Sequence, residues 1–356
     1  MKRIAVICAA LLLVSAVAEA GTKKEAKPNQ GPSGPIPVAL LDGGRHLDFI
    51  RFLSSEQELH LKRGFFNRVL DIVAGSPEWR KLVRPYSITT DSHGRILITD
   101  PGALAVHIFD LDKKKYTVIQ GGKGNTFQSP IGIAVDSDDN IYVTDSRLGM
   151  IFVFDARGKS RGILGRLKGG EGFYKRPTGI AFDKVAHQLY VTDTLRNRVY
   201  VTDLEGRIVR EFGSPGTAAG QFNFPTEVVV HGDDVFVVDA LNFRVQMFDR
   251  EGKFHSEFGS IGEQAGRLFR AKGLGVDSEG HIYLVDAAME TVQIFNRIGQ
   301  LLYTFGHDGN GVAGFQLPAG LWIDGKDRIY VADSYNHRIQ VFQFNGPGKN
   351  AGGGTD

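Results

Sequence analysis

Short apolar runs that alternate with polar residues recur along the chain between positions 85 and 345. One run ends in aspartate six times, at intervals of 45 to 48 residues. The six runs are ILITD, IYVTD, LYVTD, VFVVD, IYLVD and IYVAD, which end at Asp100, Asp145, Asp193, Asp239, Asp286 and Asp333. A similar run precedes each of them and two more follow most of them. Their shortness, alternation and content of Val, Ile, Phe and Tyr predict β-strands.

Tight turns separate these runs. Segments such as 91–94 and 277–280 join the first run to the second, and 155–158 and 203–206 join the third to the fourth. Each begins with aspartate and ends with glycine, which is typical of hairpin turns. Four antiparallel strands in each repeat of about 45 residues predict one propeller blade. Six repeats therefore predict an all-β, six-bladed β-propeller.

A loop motif follows three of the aspartates. It reads DSYNHR after Ala332, DALNFR after Val238 and DTLRNR after Thr192, with the asparagine shifted by one position in the last. The motif residues that accompany aspartate are Asn197, Asn242, Asn336, Arg198, Arg244 and Arg338. Together with the G-x-F-x-x-P phrase at 220–225 and the shorter G-F-x-x-P phrase at 314–318, the pattern resembles the NHL repeat of exported bacterial propellers. The resemblance implies the same six-bladed fold and a rigid disc that presents a surface to partners.

The last repeat contains three strands where four are needed. The segment HLDFIRFLS at 46–54 has the pattern of a fourth strand, so the sequence predicts that it completes the last blade. Residues 56–84 then form the first connection between blades, with a short helix predicted over 65–73.

The two ends of the chain differ from the repeats. Lys2 and Arg3, an apolar run over 4–17 and an Ala-Glu-Ala site predict a signal peptide over 1–20, with an uncleaved membrane anchor as the alternative. Residues 21–37 are predicted as a flexible linker, 38–345 as the propeller and 346–356 as a disordered tail. The protein is therefore expected in the periplasm or outside the cell, without a membrane span after cleavage.

Composition narrows the chemistry. The one cysteine, Cys8, lies in the predicted signal peptide, so the exported chain is expected to lack disulfides, thiol catalysis and covalent haem. A net charge of +2 gives no strong nucleic-acid signature, and export argues against nucleic acid as a partner. Neither a cofactor nor a metal site is predicted, and a monomer is expected.

The aspartates at the strand ends are first interpreted as structural. Each is expected to accept hydrogen bonds from backbone amides of its loop, with arginine partners in three blades. Phe127, Tyr174, Phe222 and Phe315 are expected to pack between blades. The connections between blades and the turns between second and third strands share one face of the disc, which we call the top face. Residues that break the repeat there are candidate binding residues: Glu227, Tyr335, Phe243 and Arg147.

The top face also has a predicted basic rim. Arg166, Lys168, Lys175 and Arg176 stand in one connection against a single acid, Glu171. The sequence therefore predicts a non-catalytic scaffold that presents its top face to a protein or polyanionic partner. The alternative is an enzyme resembling the peptide-amidating lyases or the lactonases, with a site at the top mouth of the central channel; no catalytic residue is assigned.

Overall fold

A computed structural model describes residues 36–40, 44–59, 80–122 and 124–346, all within one compact unit. Six antiparallel sheets, contributed by successive repeats, confirm the predicted six-bladed β-propeller. The predicted signal peptide, most of the linker, the helix over 65–73 and the tail after 346 lie outside the described residues.

Each blade has four strands, numbered here from the central channel outwards. Blade 1 comprises Ile88–Thr90, Ile96–Asp100, Ala105–Asp110 and Lys115–Ile119. Blade 2 comprises Pro130–Val135, Ile141–Asp145, Met150–Phe154 and Ser160–Leu164. Blade 3 comprises Pro177–Asp183, Gln188–Asp193, Arg198–Thr202 and Ile208–Phe212. Blade 4 comprises Pro225–His231, Asp234–Asp239, Arg244–Asp249 and Phe254–Phe258, and blade 5 comprises Ala271–Val276, Ile282–Asp286, Thr291–Phe295 and Leu301–Phe305.

Blade 6 combines the two ends of the propeller. Its first three strands are Leu321–Ile323, Arg328–Asp333 and Arg338–Asn345, and its fourth is His46–Leu53. The fourth strand pairs antiparallel with the third, from His46 opposite Asn345 to Leu53 opposite Ile339. This confirms the predicted closure by an N-terminal strand. A fifth strand, Ile36–Leu40, adds to the outside of the same sheet.

Smaller elements lie between the blades. Gly121–Gly122 pairs with Asn125–Thr126, and His307–Asp308 pairs in parallel with Gly314–Phe315. Short 3₁₀ turns are formed by Glu56–Leu59, Ala240–Asn242 and Ser334–Asn336. Within the described part of the chain, no helix is long and apolar enough to cross a membrane.

The core consists of the layers between adjacent blades. One large side chain from each connection fills each layer: Leu82, Phe127, Tyr174, Phe222, Leu268 and Phe315, all at most 4% exposed. The predicted packing of the four aromatic members is thereby confirmed. Threonines of the second strands add polar links, since Thr99 Oγ1 donates to Ile131 O at 2.6 Å and Thr144 Oγ1 donates to Thr178 O at 2.7 Å in the next blade. Packing and hydrogen bonds therefore fix each blade against its neighbour.

The first strands come very close together at their top ends. Gly273 N donates to Ala319 O at 2.9 Å and Gly320 N to Tyr86 O at 2.7 Å, so adjacent blades bond directly where the chain enters their first strands. The third residue of each first-strand segment forms a ring: Ser87, Gly132, Gly179, Glu227, Gly273 and Gly320. A Cβ placed at Gly132 would lie 2.1 Å from Thr178 O, and one at Gly320 would lie 2.2 Å from Tyr86 O. Glycine is therefore needed there because no side chain fits between the strands.

Candidate functional site

The six repeat aspartates lie at the top ends of the second strands and are completely buried. Their carboxylates accept hydrogen bonds from backbone amides in the preceding connection between blades. Asp193, for example, accepts from Lys175 N at 2.8 Å and Arg176 N at 2.9 Å. Asp286 accepts from the amides of residues 269 and 270 in the same way. These hydrogen bonds fix each connection to its blade, as expected if the aspartates have a structural role.

In blade 6 the motif side chains complete this cluster. Arg338 Nε donates to Asp333 Oδ2 at 2.8 Å, while its two Nη atoms donate to backbone carbonyls of residues 310, 311 and 314. Asn336 Nδ2 bonds both Asp333 and Gly309 O. Gln340, two positions beyond the arginine, also reaches Asp333 Oδ2 at 3.1 Å. Asp239, Asn242, Arg244 and Gln246 repeat the arrangement in blade 4. These donors are committed to the loops and are not available to a ligand.

Blade 3 departs from the predicted pairing. Arg198 pairs with the exposed Glu211 and not with Asp193, although it stands five residues after its aspartate, as Arg244 and Arg338 do. Arg196 lies nearest to Asp193 instead, with 3.6 Å between Nη1 and Oδ2. Asn197 has a positive φ of 53° and its Oδ1 accepts from Phe224 N in the next connection. The prediction of an Arg198–Asp193 pair was therefore wrong.

Blade 1 uses a histidine that the sequence reasoning did not single out. His107 occupies the position that Gln246 and Gln340 hold in blades 4 and 6, seven residues after the aspartate. Its Nε2 lies 3.6 Å from Asp100 Oδ2, and its Nδ1 lies 2.5 Å from the hydroxyl of Tyr116. Burial lowers the pKa of His107, against a smaller opposing effect of Asp100. Alignment of the repeats on their aspartates would have identified His107, because it places this histidine opposite the two glutamines.

Side chains that project from these connections and from the turns between second and third strands form an exposed surface. Its cations are Arg84, Arg147, Lys175, Arg176 and Arg270, and its apolar members are Val83, Leu195, Leu241, Phe269 and Tyr335. The apolar members are between 42% and 54% exposed. We call these ten residues the top-face patch. In the part of the chain that the structure describes, none of the five cations takes part in an ion pair.

The other predicted binding residues are distributed differently. Arg166 and Lys168 are exposed in the outer part of the connection between blades 2 and 3, beyond Lys175 and Arg176. Phe243 is not a free surface residue: it ends a 3₁₀ turn with a φ of 54° and packs against the core between blades 4 and 5. Glu227 is not on the top surface either, since it lines the central channel.

The central channel forms a cavity of about 850 Å³. Its wall consists of first-strand residues, and its mouth consists of turns between first and second strands, including Asp136, Asp183 and Asp233. These turns lie on the face opposite the top face, which we call the bottom face. The cavity therefore opens on the bottom face, whereas the sequence reasoning placed a channel site at the top mouth. The close approach of the first strands at their top ends accounts for the direction of the opening.

Glu227 lies near the closed end of this cavity. Its carboxylate accepts one hydrogen bond, from Val228 N at 3.1 Å, and has no cationic partner among the described residues. Burial raises its pKa to about 8, and the Val228 amide opposes this shift only in part. The residue is partly exposed because it faces the channel, yet its carboxyl group is surrounded by protein. It is therefore largely protonated at neutral pH and able both to donate and to accept a hydrogen bond.

One group of potential metal ligands lies on the bottom face. Within the described residues, Asp91, His93 and Asp139 bring three ligand atoms within 4.8 Å of one another. The group is already occupied: Asp139 accepts from Ser92 and His93, and Asp91 pairs with Arg95. Ser278 and Asp327 repeat the Ser92–Asp139 contact between blades 5 and 6, where residue 279 is glutamate. A recurring contact between neighbouring turns explains the group without a metal.

Comparison with known families agrees with this architecture. The NHL repeat model matches residues 127–154 and 315–342. Peptidyl-glycine alpha-amidating monooxygenase of Mus musculus is 28% identical over 128 residues, which cover 33% of this chain. That match spans only 13% of the length of the mouse protein.

Solved structures with the same fold include an enzyme and a binding protein. Virginiamycin B lyase from Staphylococcus aureus superposes with a TM-score of 0.54 and 17% identity, covering 73% of this chain and 95% of the lyase. An auxiliary nutrient binding protein from Bacteroides thetaiotaomicron has a TM-score of 0.58 and 13% identity, covering 74% of this chain and 70% of that protein. At such identities the likeness establishes the fold and leaves the function to the site itself.

Proposed function

Because the chain carries NHL repeats on a six-bladed β-propeller, we propose that it is a non-catalytic binding module whose top-face patch docks an acidic protein partner. The observation that carries the proposal is the alternation of cationic connections around the ring. Three connections end in Val83–Arg84, Lys175–Arg176 and Phe269–Arg270, at blades 1, 3 and 5. The equivalent positions before blades 2, 4 and 6 are uncharged: Gln128, Ser129, Asn223, Phe224, Gln316 and Leu317.

The backbone of each cationic pair is held in place. Val83 N and Arg84 N donate to Asp100 at 2.6 and 2.9 Å, as the other two pairs do to Asp193 and Asp286. The side chains therefore project from rigid loops, which lowers the entropy lost on binding.

The apolar members of the patch supply the second element of an interface. Arginine and aromatic side chains are enriched in binding sites, and exposed apolar residues next to cations favour a partner with both acidic and apolar groups. Arg166 and Lys168 extend the positive surface outwards and add long-range attraction. We further propose, from the predicted signal peptide, that binding takes place outside the cytoplasm.

A defined acidic probe tests the proposal. A fluorescein-labelled peptide of alternating glutamate and leucine is titrated with the protein, and binding is followed by anisotropy at low and high salt. The variant combines Arg84→Glu, Arg176→Glu and Arg270→Glu. We expect affinity to fall at least tenfold at low salt, because charge complementarity is reversed, and the difference to shrink as salt screens the charges.

A matched control reverses three exposed cations of the bottom face, Arg157, Lys253 and Lys326. It carries the same change in net charge at a different place. Equal loss of binding in the two triple variants, or none in either, would show that the top-face patch is not the docking surface.

A further inference from the structure

The bottom-face cavity is a second candidate site, separate from the top-face patch. Its volume of about 850 Å³ lies within the range of small-molecule pockets. Side chains such as Ile133, Val135, Phe182, Val229 and Trp322 give it apolar walls. A cavity of this size with one polar group at its closed end is typical of a site for an amphipathic ligand.

Glu227 departs from the glycine that most positions of its ring carry. Four of the six ring positions are glycine, and the close approach of the strands explains them. At Gly179, a Cβ would lie 2.7 Å from both Glu227 Cα and Glu227 Oε1, so the glutamate fills space that its neighbour leaves free. Among the described residues, its side chain accepts one hydrogen bond, from the amide of the next residue. A buried carboxyl group with so few partners is costly for stability and is explained if a ligand completes its bonding.

The charges near the cavity favour a cation. At the mouth, Asp136, Asp183 and Asp233 face Lys184 and Arg250, which leaves one carboxylate in excess. Burial lowers the pKa of His231 at the mouth, so this side chain is neutral at pH 7. A cationic ligand therefore meets a weakly acidic mouth, apolar walls and a carboxyl group at the end.

The groups on the strands packed against Glu227 are engaged elsewhere. Asp183 pairs with Arg250 at 3.2 Å, Asp234 pairs with Arg297, and Asp239 pairs with Arg244 at 2.8 Å. On the neighbouring first strand, the ammonium of Lys272 lies 5.6 Å from the centre of the Tyr86 ring. Desolvation is accordingly the largest cause of the raised pKa of Glu227, with no charged neighbour among its causes.

We propose that the central channel binds an amphipathic monocation, an amine with an apolar body, whose ammonium group pairs with Glu227. Binding forms an ammonium–carboxylate ion pair and transfers the carboxyl proton to the buffer. The group releases close to one proton per ligand at pH 7, since a pKa of about 8 leaves it mostly protonated before binding. Affinity for the cation then rises with pH up to about 8 because the fraction of ionised Glu227 rises.

The test uses three probes that share one apolar body: 4-phenylbutylamine, 4-phenylbutanol and 4-phenylbutyrate. Binding is followed by isothermal titration calorimetry in buffers of different ionisation enthalpy, which also counts released protons. Trp322 lines the cavity and provides a second signal in a Trp79→Phe background, where it is the sole tryptophan.

We expect the amine to bind at least tenfold more tightly than the alcohol at pH 8 and the acid to bind most weakly. Affinity for the amine should rise about 50-fold from pH 6 to 8, the ratio of the ionised fractions for a pKa of about 8. Glu227→Gln should remove the preference, the pH dependence and the proton release. Glu227→Gly, which installs the residue of four other ring positions, should do the same if the glutamine variant folds poorly.

Three results would overturn the inference: no binding of any probe, equal binding of amine and acid, or an unchanged preference in both Glu227 variants. The triple variant of the top-face patch should still bind the amine. A loss of peptide binding and a loss of amine binding therefore report on the two proposals separately.

Discussion

The unusual ionisation of Glu227 predicts a specific dependence of stability on pH. In the folded protein burial raises its pKa from 4.5 to about 8. The folded state therefore holds this proton more tightly than the unfolded state. Below pH 4.5 both states are protonated and the group has no effect. Between pH 4.5 and 8 its contribution to the free energy of unfolding falls as pH rises, and the loss is complete above pH 8.

The size of the effect follows from the shift. A rise in the pKa of Glu227 from 4.5 to about 8 corresponds to a loss of about 5 kcal/mol in the free energy of unfolding, at 1.36 kcal/mol per pKa unit. Because the channel is open to water at one mouth, we expect roughly half of this, about 2–3 kcal/mol. The free energy of unfolding of Glu227→Gln, relative to that of the unaltered chain, should therefore rise by about 2–3 kcal/mol between pH 4.5 and 8.5.

Urea unfolding at several pH values, followed by circular dichroism, measures this difference. Glu251→Gln, which changes an exposed glutamate of the same blade, is the control and should give no such gain. If the Glu227→Gln and unaltered curves run parallel from pH 4.5 to 8.5, the carboxyl group is not buried as described.

Three further predictions follow from contacts in the blades and from the N-terminal pattern. Deletion of residues 36–53 should expose the edge of blade 6, and size-exclusion chromatography should show aggregates; a monomer with an unchanged melting temperature would contradict the closure. Arg338→Ala should lower the free energy of unfolding in urea by about 3 kcal/mol, because it leaves the buried Asp333 without its cation. Arg198→Ala removes an exposed pair and should lower it by under about 1 kcal/mol. Equal losses in the two variants would contradict the assigned contacts. N-terminal sequencing of the native protein should begin at or near Gly21, and recovery of intact Met1 from a cytoplasmic fraction would refute export.

The sequence predicted most of the fold because the repeat determines it locally. Strand alternation, turn residues and the repeat interval are each readable within one blade. Even the closure by His46–Leu53 was predictable from a missing strand. The outer strand Ile36–Leu40 was not predicted, although two apolar runs separated by Asp42-Gly43-Gly44 are a recognisable hairpin signal.

The site was less predictable because it depends on how blades are arranged. Glu227 was identified as an exception at a glycine position, but the sequence alone did not show that the cavity opens on the bottom face. That direction depends on the convergence of first strands from all six blades. Similarly, the one-residue shift of the asparagine in DTLRNR was visible, whereas the partner of Arg198 required the structure.

The composite sheet of blade 6 has a consequence for how the ring folds. Asn345 Nδ2 donates to Asp48 Oδ2 across 297 positions of the chain, whereas the other five blades pair strands that are close in sequence. Closing so long a loop is entropically expensive, and sheets built from distant strands form slowly. Blades 1 to 5 can therefore assemble as a chain of neighbours, while docking of the N-terminal strand is the final step that converts an open arc into a ring.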